Sequence, residues 1–156
     1  RFTSYKEFLD DMIVSLAIYG KTINSITSDK DVRVSKRLFM PKTRLRGFEA
    51  GKIGPKDGTD FVGGNYSAAV NATTTLPFLF PTMENVDFLL FFDAANVWEV
   101  DYSNNIHEGN KIRSSTGIAL DVITPVGPLS FSLAQPISVA SGDITENFRF
   151  DIGTSF

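Results

Sequence analysis

Apolar and polar residues alternate along most of this chain, and alternation at a period of two marks strands with one oily and one wet face. Over the last ten residues Phe148, Phe150, Ile152, Thr154 and Phe156 share one face, against Arg149, Asp151, Gly153 and Ser155. Over 11–19, Met12, Val14, Leu16 and Ile18 oppose Ser15 and Ala17. Over 64–76, Tyr66, Val70 and Leu76 oppose Ser67, Asn71 and Thr73. Residues 86–98 are apolar on both faces through Phe92, then turn polar at Asp93 and Asn96. Over 112–123, Ile118, Leu120 and Val122 oppose Ser115, Gly117 and Asp121, and Leu129, Phe131 and Leu133 oppose Ser130 and Ser132. Clusters of Gly, Pro, Asn and Asp punctuate these runs, as in an all-β protein.

The second face of these strands is small or polar, where a packed sandwich would carry Val, Ile and Leu. Several runs reach about 10 to 12 residues, whereas soluble strands have about 5 to 6 and tilted membrane strands about 9 to 11. Burying Arg149 and Asp151 in a soluble core would be costly unless they were paired, while facing a watery lumen costs them little. The expected fold is therefore an antiparallel transmembrane β-barrel of outer-membrane type, favoured over a soluble sandwich or a lipocalin-like barrel. Its closing strand would end on an interfacial aromatic, Phe156. Short connections at 124–128 and 79–85 alternate with long ones at 44–63 and 99–111, so each kind would lie on one side of the membrane.

Composition narrows the function. The net charge of -3 provides no basic field for nucleic acid. No Cys is present, which removes disulfides, zinc-thiolate sites and thiol nucleophiles. His107 has no second His nearby for a metal, and 51–58 lacks the ending of a phosphate loop. Asp10, Asp11 and Asp121 face no opposing acid or base, and no nucleophile elbow is present. Neither catalytic residues, cofactor nor metal is expected. No apolar run approaches the ~18 residues of a membrane helix, which says nothing of barrels. The chain opens on Arg1 without an initiator Met or signal peptide, so a processed product or excised piece is expected.

Four motifs in order carry a family resemblance. Leu45-Arg46-Gly47-Phe48, followed by Ile53-Gly54-Pro55 and Gly63-Gly64-Asn65, resembles the sixth extracellular loop of the BamA family of outer-membrane assembly factors. Phe91-Phe-Asp-Ala-Ala-Asn-Val-Trp98 resembles that family's strand with an inward Asp. Ser115-Thr-Gly-Ile-Ala-Leu120, Thr124-Pro-Val-Gly-Pro-Leu129 and Ala134-Gln-Pro136 fit the strands that follow, and the segment ending in Phe156 fits the terminal strand. The translocation and assembly factor TamA and the two-partner secretion transporters share the Arg-Gly-aromatic loop; the last two internal motifs favour BamA.

The resemblance implies a non-enzymatic insertase that folds β-barrel clients into the bacterial outer membrane, with lipid, unfolded barrel proteins and accessory assembly lipoproteins as partners. It implies that Arg46, flanked by Gly47 and Phe48, pairs with Asp93 to lock the loop inside the barrel. It also implies a lateral seam whose lip carries Phe148, Phe150, Ile152, Gly153 and Phe156, with Gly153 at the bend. Met40-Pro-Lys-Thr43 replaces the family's usual glycine pair, and Asn71 stands where many members carry a second acid. With about six or seven strands, the chain falls short of the eight in the smallest outer-membrane barrels. Residues 1–156 thus read as the C-terminal half of the barrel, without POTRA modules. From its residues alone, a long Gly-rich loop reads as solvated, and the Arg46–Asp93 pair would be worth roughly 0 to 1 kcal/mol. Folded inward, losing one partner would cost about 3 to 5 kcal/mol. A secretion or translocation pore of the same superfamily and a soluble binding β-domain remain the rival functions.

Overall fold

The computed structural model describes residues 1–9, 12–26, 31–79, 81–101, 106, 110–125 and 127–153. Asp10, Asp11, His107, Thr154, Ser155 and Phe156, all weighed above, lie outside the described residues. In chain order the strands are β1 (Phe2–Leu9), β2 (Met12–Thr22), β3 (Gly47–Phe48), β4 (Lys56–Asp57), β5 (Asp60–Phe61), β6 (Tyr66–Thr75), β7 (Val86–Trp98), β8 (Arg113–Thr124), β9 (Gly127–Ser138), β10 (Thr145–Glu146) and β11 (Phe148–Ile152). Seven of them form one antiparallel sheet in the order β1-β2-β6-β7-β8-β9-β11. The short pairs β3–β10 and β4–β5 lie outside it.

The lengths match a membrane crossing: β2 has 11 residues, β6 10, β7 13, and β8 and β9 12 each. The structure adds a strand and lengthens a connection relative to the alternation. A first strand, β1, precedes the earliest run read from the sequence and pairs Phe2 with Ile18 and Ser4 with Leu16. The inward segment joins β2 to β6, so it begins well before Arg44. At the far end β11 stops at Ile152, and Gly153 has left-handed φ of 93°.

Register sorts the two faces. Ile18, Val70 and Ala94 are neighbours on one face, as are Leu90, Ile118 and Leu133. That face stays bare: Leu16, Ile18, Val70, Leu90, Phe92 and Leu133 are all exposed, as are Phe148, Phe150 and Ile152 on β11. A continuous apolar sheet face of this extent is what hydrocarbon, not water, would cover.

On the other face Ser67, Asn71, Asp93, Ser115, Ser132 and Arg149 are buried. The small residues read there as lumen lining make room for the long connection, which folds back across the sheet. Met40, Leu45, Phe48 and Ile53 from that connection pack on Ala69, Ala95 and Val97, with Tyr19 at the margin. The expectation that water would bathe Arg149 is thereby corrected: its side chain is only 8% exposed and is paired with Glu146. Beneath the loop a cavity of about 260 Å³ touches Thr3 and Tyr5 of β1 and Arg149 and Asp151 of β11, so the sheet curls until its end strands border one space.

Candidate functional site

Asp93 sits on the inward face of β7 and is fully buried. A lone carboxylate there would be expensive, and the structure surrounds it with donors. Arg46 Nε donates to Oδ2 at 2.7 Å and Nη2 to Oδ1 at 2.8 Å, a forked pair. The Arg46 backbone N–H donates to Oδ2 at 3.1 Å, and Asn71 Nδ2 to Oδ1 at 2.8 Å. Asn71, opposite Asp93 in the β6–β7 register, serves as a donor where a second acid would repel. It also donates to the Arg44 carbonyl (2.9 Å), fastening the loop one step earlier.

The guanidinium rests on an aromatic plate. Its Cζ lies 3.6 Å from the centroid of the Phe91 ring, two residues along the same face of β7. Gly117 on β8 makes room for that ring: a Cβ there would stand 2.7 Å from Phe91 Cζ and 2.0 Å from the Leu133 carbonyl oxygen. On the other flank Ser115 Oγ donates to the Arg46 carbonyl at 2.5 Å. Gly47 follows with φ of 86°, and its missing Cβ would lie 3.1 Å from both Ala134 Cβ and Ser115 Cβ. A side chain at position 47 would be strained in its backbone and crowded against the wall. Phe48, 1% exposed, buries its ring in the cluster beneath the loop.

The structure therefore brings Arg46, Gly47, Phe48 and Asp93 together. It places Phe148, Phe150 and Ile152 elsewhere, on the exposed face of β11, with Phe150 stacked on Phe131 at 4.8 Å. Three groups escaped the sequence reading. Arg113, 1% exposed, forks onto Asp143 at 2.9 Å through Nε and Nη2. Its Nη1 donates to Asn96 Oδ1 (2.5 Å) and the Lys111 carbonyl (2.8 Å). Phe91 was seen as part of a motif but not as the seat of Arg46. Arg149 was seen as a lumen residue, without its loop contacts. Among the described residues no group of three or more potential metal ligands is present. The arrangement fastens the loop to the wall through charge, ring and backbone contacts.

Known proteins resemble this chain in structure and in sequence. A crystal structure of BamA from Haemophilus ducreyi lacking POTRA domains 1–3 superposes with a TM-score of 0.82 at 30% identity, over 95% of this chain and 32% of that one. The outer membrane protein assembly factor BamA of Neisseria meningitidis serogroup B is 30% identical over 72% of the chain and 17% of its own length. Its counterpart in Neorickettsia risticii is 27% identical over 83% of the chain and 18% of its length. A SAM50-like protein of Schizosaccharomyces pombe is 31% identical over 81% of the chain and 28% of its length. The chain thus spans about a third or less of each relative. The Omp85 superfamily domain matches residues 1–156 throughout, and the chain belongs to the Omp85 superfamily.

Proposed function

We propose that this chain is the C-terminal part of the barrel of a non-enzymatic insertase, which folds and inserts β-barrel proteins into the bacterial outer membrane. The observation that carries the reading is the combination of a bare apolar sheet face with a loop latched to the opposite face through Arg46 and Asp93. Lipid covers the first face. The latch holds the loop inside the barrel, where it supports the wall from within.

Clients enter at a lateral seam beside β11. Among the described residues β11 (5 residues) is the outermost strand of the sheet, beside β9. An open edge templates an incoming strand by backbone hydrogen bonding. Phe148, Phe150 and Ile152 keep their side chains in lipid while the backbone exchanges partners. Unfolded barrel proteins are the substrates of this reading, and accessory assembly lipoproteins its partners.

The test uses the full-length protein in proteoliposomes. Cysteines joining β11 to the first strand of the complete barrel should abolish client insertion under oxidation and restore it on reduction. Undiminished insertion with the seam covalently closed would remove the proposal. Export or conductance without insertion would favour the pore reading.

A further inference from the structure

The ladder between β9 and β11 ends abruptly, and its end has a chemical cause. Even-numbered residues of β9 point their backbone groups toward β11: Pro128 O accepts from Gly153 N and Ala134 N donates to Asn147 O, both at 2.8 Å. The next rung would join Pro136 to Thr145. Pro136 has no N–H to give, and its carbonyl is taken by Gln135 Nε2 at 3.2 Å. Thr145 and Glu146 leave the sheet and pair instead with Phe48 and Gly47 of the inward loop. Glu49 N to Ile144 O (2.9 Å) and Ile144 N to Lys52 O (3.2 Å) extend that pairing.

Below this junction Arg149 reaches back to the same loop. Its Nη1 donates to the Lys42 carbonyl and its Nη2 to the Phe48 carbonyl, both at 2.5 Å, while Nε donates to Glu146 Oε2 at 2.8 Å. Asp151, two residues on along the same face, forms an ion pair with Lys42. The last strand is thus held from two sides, by β9 along its edge and by the loop across its inner face.

We infer that Arg149 is a positioning residue, which ties the terminal strand to the inward loop so that the two are released together. Pro136 sends the chain to the loop, and Arg149 closes the connection. Freeing Arg46 from Asp93 loosens β11, although Arg46 itself forks onto β7 and makes its ion pair there. The tie stands independently of the insertase reading. Its meaning as control of a seam rests on that reading.

The test is hydrogen exchange over the peptide 148–153 in the full-length protein in lipid nanodiscs. Arg46→Ala should speed exchange there by about tenfold or more, the scale set by hydrogen bonds to a charged group. Arg149→Met should do the same, and the double variant should exchange no faster than the faster single one. Effects that multiply, or an Arg46→Ala variant that keeps 148–153 fully protected, would overturn the inference. If Arg149→Met does not fold, Arg149→Lys keeps the charge but cannot span both carbonyls and Glu146. The same outcomes then decide. Because exchange is read on the folded protein, a broken tie is distinguishable from a failed insertion assay.

Discussion

Arg113–Asp143 and Arg46–Asp93 are both forked arginine–aspartate pairs, yet they hold different things. In the first, both side chains are 1% exposed, and every group comes from strand ends or the adjoining connections at one rim. Arg113 uses Asn96 and Lys111 as further acceptors, and Asp143 Oδ2 also accepts from Ala140 N at 2.8 Å. In the second, the aspartate belongs to the wall and the arginine to a loop, with the arginine 18% exposed on a Phe91 plate. The rim pair opens only if strand ends separate. The loop pair can open while the sheet persists, because the sheet's own ladders do not run through it. Similar chemistry therefore serves as a rivet in one place and a latch in the other.

This contrast can be broken most forcefully at the rim. Arg113→Met or Asp143→Asn should destabilise the whole fold by about 3 to 5 kcal/mol, since the surviving charge is stranded. Thermal unfolding in detergent should show one earlier cooperative transition. Gly117→Ala should cost about 1 to 3 kcal/mol by overpacking against Leu133 and Phe91. The clash with the Leu133 carbonyl strains the β8–β9 pairing while the displaced ring unseats Arg46, so the loop becomes open to protease and the sheet melts earlier. Phe91→Leu keeps the space filled but removes the ring face, for a loss of about 0.5 to 2 kcal/mol in loop attachment. The same proteolysis assay reads it.

The smallest effect concerns acid and the loop outside the sheet. Burial alone would raise the Asp101 pKa, but the Val32 N–H, the Asn65 amide, its own backbone and Arg37 outweigh it and hold the carboxyl below its ordinary value. A depressed pKa adds stability above the unfolded value, about 3.9, and that stability is lost as pH falls through the folded value. Exchange at the Val32 amide, which donates to Asp101 Oδ2 at 3.0 Å, should stay slow at mildly acidic pH. It should quicken only below the usual aspartate range.

The sheet was legible because period-two alternation is local. Every run with a clean oily face, from Met12 onward, became a strand of the sheet. The first strand escaped because Ser4 and Lys6 occupy the outward face beside Phe2, which blurs the alternation. Asp93 stood out on an apolar strand, but nothing in its surroundings points to Arg46, 47 positions away; only the family resemblance linked them. Arg113 and Asp143 carried no such signal, being an ordinary polar-face residue and an Asp in a turn. The rule that a buried arginine needs a partner was available for Arg149. Its partner was hidden because a proline on the neighbouring strand diverts Glu146 onto the loop, and register of that kind is settled in three dimensions.

The most direct measurement of the latch exchanges its charges. Arg46→Asp and Asp93→Arg should each, alone, lose heat-resistant folding and expose the loop to protease. Together they restore the attraction, and the account predicts recovery of both properties in the double variant. A double variant no better than either single one would contradict the claim that this pair holds the loop against the wall.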